Sequence, residues 1–276
     1  MASEISDFSR LCLHTITTRP WAIEDCIHNY SESGIHAITI WRNVLENMNL
    51  RTIRMMLDDY GMKVVSLCRG GFFPSVEESV RKRALDDNLL AIEQARAIGA
   101  PMIVLVCGSD CRQSLEKSRE QIAEGIIRIL PAARSAGVRL AVEPLHPMYA
   151  ADRSAINTLR QANDLADMIN SDNVGIAVDV YHLWWDSALE TEIKRSGAMN
   201  RLFAFHVSDW KLPLEDILND RGLMGEGCID IPRIRSWMEC AGFEGFHEVE
   251  IFSERHWAAD QLEFLGNIKK AYLTKT

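Results

Sequence analysis

Short apolar runs recur along the chain, separated by longer stretches with the periodicity of amphipathic helices. "LCLHT" (11–15), "HAITIW" (36–41), "VVSLCRG" (64–70), "MIVLVCG" (102–108), "LAVEPL" (140–145), "VGIAVDVYH" (174–182), "LFAFHVSD" (202–209) and "HEVEIF" (247–252) have the length and β-branched content of strands. They begin roughly 25 to 45 residues apart, and each is followed by room for a helix. Strands alternating with helices fold as βα units around a parallel sheet. Eight such units in 276 residues predict a single α/β domain, one (β/α)8 TIM barrel spanning residues 1–276. Glycines in "IGAPMIVLV", "AGVRLAVEP" and "CAGFEGFHEVEI" stand between helix and strand, where a helix C-terminus favours positive φ. Pro74 and Pro232 are placed to open helices.

The alternation also assigns faces. A barrel strand turns one set of side chains to the helices and the other to the interior. In "LFAFHVSD", Phe203, Phe205 and Val207 are expected outward, with Ala204, His206 and Ser208 inward. With Ile176, Val178 and Val180 outward, Gly175, Ala177 and Asp179 face in. With Val249 and Ile251 outward, Glu248 and Glu250 face in, and Glu143 shares its face with Ala141. Strands five to eight thus each bring a polar side chain to the C-terminal end: Glu143, Asp179, His206 and Glu250. Three carboxylates in an apolar barrel repel one another and lose hydration. A divalent cation resolves both problems. Three carboxylates and one imidazole suit Mn²⁺, Mg²⁺ or Co²⁺ better than a structural zinc. This face is also where TIM barrels carry their active sites.

Composition narrows the partners. A net charge of -9 argues against nucleic acid and anionic membrane as partners. The seven cysteines are odd in number and include no CxxC pair, so they read as free thiols, mainly small buried hydrophobes, in a reducing cytoplasm. The opening "MASEISDFSR" has no apolar h-region, and no apolar run approaches the ~20 residues of a membrane span. The expectation is a cytoplasmic protein acting on a small molecule.

Five segments, "VEPL", "DVYH", "FHVSD", "GEGCIDIP" and "EVEIF", fall in an order and spacing that resembles the xylose-isomerase-like TIM-barrel superfamily of sugar and sugar-phosphate isomerases and epimerases. That group includes ketose 3-epimerases and inosose and hydroxypyruvate isomerase relatives. The resemblance covers nearly the whole chain. It implies that Glu143, Asp179, His206 and Glu250 hold one divalent metal, Mn²⁺ first and Co²⁺ or Mg²⁺ next. It implies that His182 contacts the substrate, and that "NDRG" (219–222) carries a substrate-binding arginine, Arg221. His14, Arg69, His146 and Trp184 are further candidates for substrate contact. Glu248, deeper than Glu250, is expected to be structural and paired with an arginine. Two departures stand out. Where the epimerases carry an Asn-Arg pair and then an acid, this chain has His146, Tyr149 and Arg153, and "NDRG" lies behind an extra "WKLPLEDIL". Members of the family often form dimers or tetramers, and no sequence feature here marks an interface.

The implied chemistry is proton transfer next to a metal-bound carbonyl through an enediolate, with Glu143 and Glu250 as base and acid on opposite faces of a keto-sugar. Isomerisation or epimerisation is the first expectation. Elimination of water or an aglycone by a lyase on the same site is the alternative. An abasic-site endonuclease, which shares this barrel, ranks last because of the acidic charge and the scarcity of histidine ligands.

Overall fold

The computed structural model describes residues 4–276; the first three positions of the N-terminal segment discussed above lie outside them. Eight strands form: β1 (Leu11–His14), β2 (Ala37–Trp41), β3 (Lys63–Gly71), β4 (Met102–Val106), β5 (Arg139–Glu143), β6 (Val174–Asp179), β7 (Leu202–Val207) and β8 (His247–Val249). They pair in parallel, each with the next, and β8 returns to β1 to close the barrel. Every expected strand is present, and the fold is a single (β/α)8 TIM barrel.

The helices are α1 (Ile23–Glu32), α2 (Leu50–Asp59), α3 (Glu78–Ile98), α4 (Leu115–Ala136), α5 (Leu159–Ile169), α6 (Val180–Leu183), α7 (Leu189–Ala198), α8 (Ile231–Cys240), α9 (Glu254–Trp257) and α10 (Gln261–Lys275). Side chains cap many of their starts: Ser114, Thr158, Asp230 and Asp260 each accept a backbone N–H of the first turn. α3 and α4 end on Gly99 and Gly137 in the left-handed region, as the glycine pattern predicts. Pro232 lies in the first turn of α8. Pro74 does not open a helix, because α3 starts only at Glu78. The intervening turn is held by Gln121, which accepts the Ser75 N–H, and Asp110, which accepts the Val76 N–H.

The core has two shells. Outward strand residues such as Leu11, Ile38, Leu140, Ile176 and Phe205 pack against buried helix residues including Ile27, Ile53, Ile126 and Ile268. Each such side chain stabilises the fold by about 1.5–3 kcal/mol through burial. Inside the barrel, Cys12, Ala37, Val104, Ala141, Ala177 and Ala204 make an apolar floor. Above it the interior turns polar toward the C-terminal ends.

Bulges correct the simple alternation. Between β6 and β7 the register passes from Ile176↔Leu202 to Ala177↔Ala204, so Phe203 is an extra residue. It packs with the interior floor rather than with the helices, against the surface left open by Gly175. Between β3 and β4 the register runs Cys68↔Val104 and then Gly70↔Leu105, which makes Arg69 an extra residue as well. A bulge re-aims the side chain it carries.

All seven cysteines are free thiols, but only Cys12, Cys26, Cys68 and Cys107 are buried; Cys111, Cys228 and Cys240 are exposed. Among the described residues, no helix is long and apolar enough to cross a membrane.

Candidate metal centre and active site

Four strand ends converge at the C-terminal mouth. Glu143 ends β5, Asp179 ends β6, His206 is the penultimate residue of β7, and Glu250 directly follows β8. One ligand atom from each lies within 4.8 Å of the other three, and all four residues are buried. His206 Nδ1 is 2.8 Å from Glu143 Oε1 and 3.9 Å from Glu250 Oε2. Asp179 Oδ1 accepts the Tyr181 N–H at 2.8 Å, capping α6 and fixing the carboxylate.

Arg221 enters from the β7–α8 loop. Its Nη1 donates to Asp179 Oδ2 and Glu250 Oε2, both at 2.9 Å, and its Nη2 donates to His182 Nε2 at 3.1 Å. His182 therefore accepts at Nε2 and carries its proton on Nδ1, which is buried without a partner. Burial and the neighbouring Arg221 hold His182 well below the usual imidazole range, so it is neutral.

A second polar layer lies directly beneath. Glu248 Oε2 accepts from Thr39 Oγ1 at 2.6 Å and lies 3.3 Å from His14 Nε2. His14 Nδ1 is 3.0 Å from Glu250 Oε1. The expected arginine partner of Glu248 is absent among the described residues; His14, Thr39 and Ser66 take its place. The reason is geometric. Inward positions on β1, β2 and β3 at that depth carry a histidine, a threonine and a serine, which leave no room for a long guanidinium.

Charge follows this arrangement. Burial works against a proton on His206, but the bond to Glu143 and the field of Glu248 outweigh it and push the imidazole up to about 10. The same contest with Glu250 and Glu248 lifts His14 to about 9. Burial raises Asp179 to about 7 despite Arg221, and Glu250 and Glu143 push in the same direction. Burial also opposes charge on Glu250, yet His14 and Arg221 hold it well below the usual carboxylate range.

The donor set fits a divalent cation. Three carboxylates and an imidazole nitrogen share one small volume, and each carboxylate oxygen has two lone pairs, so bonds to Arg221 and His14 leave electron density for an ion. His14, held from below by Glu248, sits against Glu250 Oε1 and orients that carboxylate.

A cavity of about 270 Å³ opens onto this cluster, lined by Glu143, Glu250, His182, Arg221, Arg69 and Tyr149 among others. Of the expected substrate contacts, His182, Arg221 and Arg69 line it. His14 lies below it, wedged between two glutamates. His146 caps a turn by accepting the Met148 N–H, and its ring sits 5.0 Å from that of Trp210. Trp184 is half-exposed beside Trp210, outside the lining. Trp41 and Phe252 complete the walls and were not singled out from the sequence. The signal was available: Trp41 lies two residues beyond the inward Thr39, and Phe252 two beyond Glu250.

The β7–α8 loop roofs the cavity with Leu218. The Asp209 carboxylate organises it by accepting the N–H groups of Trp210, Gly225, Gly227 and Ile229. Tyr149 Oη donates to the Ile217 carbonyl and ties the roof to the β5–α5 loop.

The profile of the xylose isomerase-like TIM barrel family matches residues 27–268. An inosose isomerase of Bacillus velezensis is 23% identical over 247 residues, covering 88% of this chain and 86% of its own. The crystal structure of protein SMc04130 from Sinorhizobium meliloti 1021 superposes with a TM-score of 0.94 at 40% identity, covering 98% of this chain and 99% of its own. The zinc-bound structure of IOLI protein superposes with a TM-score of 0.84 at 21% identity over 96% of both chains.

Proposed function

The chain belongs to the xylose isomerase-like TIM barrel family, and on that premise we propose that it is a divalent-metal-dependent isomerase or epimerase of a small keto-sugar. The observation that carries this reading is the convergence of Glu143, Asp179, His206 and Glu250 within 4.8 Å at the floor of a monosaccharide-sized cavity. The inosose isomerase relative and the zinc in the IOLI protein structure support it. Mn²⁺ is the first candidate ion, with Co²⁺, Mg²⁺ and zinc in the same test.

An ion held by the four residues would supply fixed positive charge where an oxyanion develops beside the substrate carbonyl. The chain does the rest. Glu143 and Glu250 both line the cavity and come from strands on different sides of the barrel. They are the base that removes the proton next to the carbonyl and the acid that returns one. Return to the opposite face of the same carbon gives an epimer; return to the adjacent carbon gives an aldose–ketose pair. Neutral His182 offers its Nδ1–H to a substrate hydroxyl. Arg221 favours the charged forms of Asp179 and Glu250 and holds both carboxylates in place. Trp41, Phe252 and Leu218 exclude water from the reacting carbon.

The test pairs metal content by plasma mass spectrometry, for wild type and Glu250→Gln, with NMR detection of solvent deuterium entering a panel of ketoses. About one metal per chain, weakened in the variant, together with deuterium uptake and retention of all carbons, is the expected result. Loss of a fragment would identify a lyase. A folded protein that takes up no metal would refute the reading.

A further inference from the structure

Three arginines line the cavity: Arg69, Arg153 and Arg221. Only Arg221 is committed to the acidic cluster. Among the described residues, no carboxylate lies within 4.0 Å of the Arg69 guanidinium. The single acid near Arg153 is its exposed neighbour Asp152, at 4.0 Å. Both guanidiniums rest on aromatic rings instead. Arg69 stands over Phe72 at 4.2 Å from the ring centre, and Arg153 over Tyr149 at 5.8 Å. Stacking engages the flat face of a guanidinium and leaves its in-plane N–H donors available for a bidentate anion.

The backbone builds this pair deliberately into one side of the mouth. Arg69 is the bulge residue of β3, so its side chain leaves the alternation of the strand. Arg153 is carried on the β5–α5 loop, which is stitched to the end of β4 by the bonds from Gly108 N–H to the Arg153 carbonyl and from Ala155 N–H to the Gly108 carbonyl. Val106 of β4 lines the cavity with them, and it packs with Leu145, Tyr149 and Phe72 in an apolar shelf. Burial, and after it the nearby Arg153 charge, disfavours the charged form of Arg69. A half-buried like-charge pair with only one exposed carboxylate beside it is unfavourable unless a ligand supplies further negative charge.

We propose that Arg69 and Arg153 form an anion subsite, and that the substrate is a monosaccharide-sized keto-sugar bearing one anionic group, phosphate or carboxylate, at the end remote from its reacting carbonyl. The inference rests on the reading of the site as a sugar isomerase or epimerase. The lining of the cavity thus combines the carboxylates Glu143 and Glu250 with two guanidiniums that the acidic cluster does not hold. The cavity volume of about 270 Å³ leaves room for a monosaccharide-sized ligand.

The experiment uses the full chain loaded with Mn²⁺. Three probes share one skeleton: D-fructose, D-fructose 6-phosphate and D-fructuronate. Binding is measured by titration calorimetry for wild type, Arg69→Gln and Arg153→Gln, with folding checked by thermal melting. At least one anion is expected to bind about tenfold or more tighter than D-fructose, and each substitution is expected to cut that preference about tenfold. The tighter of the two anions distinguishes phosphate from carboxylate. Equal binding of all three probes, or a preference insensitive to both substitutions, would overturn the proposal. Solvent deuterium uptake, measured in the same samples, separates the two layers of the argument. Exchange into D-fructose with no anionic preference removes the subsite and leaves the isomerase. Anionic preference without exchange into any probe leaves the subsite and removes the isomerase.

Discussion

His206 Nδ1 lies 2.8 Å from Glu143 Oε1, joining the end of β7 to the end of β5 across β6. The same nitrogen is the one the proposed metal needs, and the bond to Glu143 favours a proton on it. Metal uptake must therefore expel that proton. Mn²⁺ affinity is expected to rise about tenfold per pH unit near pH 8, with about one proton released per ion, and more steeply near pH 6, where Asp179 sheds a second. Calorimetry in buffers of different ionisation enthalpy reads both quantities. An affinity independent of pH would remove His206 from the ligand set.

Glu250→Gln and Glu143→Gln keep size and shape but lose the basic oxygen. Each is expected to lower kcat by about 10²–10⁴, read as the initial rate of solvent deuterium entry at saturating metal. If either glutamine variant retains wild-type exchange, that residue is not a proton carrier.

Stability should depend on pH through His247, on the helix side of β8. Burial, with Arg10 and Arg235 adding to it, holds its imidazole down from 6.5 to about 3. Its Nδ1 meets Tyr272 Oη at 3.0 Å. The unfolded chain binds a proton below 6.5, whereas the folded chain does so only near 3. The contribution is thus complete above pH 6.5 and lost as pH falls from there. Between pH 7.5 and 5.5, wild type should lose about 1 kcal/mol more than His247→Gln in urea unfolding. Equal losses in the two proteins would show that His247 titrates normally in the fold.

At Gly227 in the roof loop no side chain fits. A Cβ on Gly227 would lie 2.2 Å from the Trp210 carbonyl oxygen and 2.5 Å from Asp209 Oδ1. Gly227→Ala should destabilise the fold by about 1–3 kcal/mol and raise KM more than it lowers kcat. Tyr149→Phe, which removes the tie to Ile217, should raise KM with little change in melting temperature. Kinetics on the best substrate, alongside thermal melts, separate the two effects.

The strands and the four polar strand ends could be read from the sequence because both depend on a local rule. Alternation with period two puts Ala141 and Glu143, or Ala177 and Asp179, on one face whatever the rest of the chain does. The bulges could not be read this way. Whether Phe203 or Arg69 is the extra residue depends on the neighbouring strand, and so on a pairing between segments far apart in sequence. The partners of Glu248 were hidden for the same reason: Thr39 and Ser66 are ordinary strand residues until the barrel closes and turns them toward it. The roles of Asp209 and Tyr149 depend on how a loop folds back, which composition alone does not encode.

The neck of that loop has a further consequence. Asp209 and Gly222 exchange both backbone hydrogen bonds, at 2.9 and 2.8 Å, and so clasp the excursion 210–221 at its base. Closure entropy changes only slowly with loop length. On the function proposed above, changes within 211–218 would alter the ceiling of the cavity while leaving Glu143, Asp179, His206 and Glu250 on their strand ends.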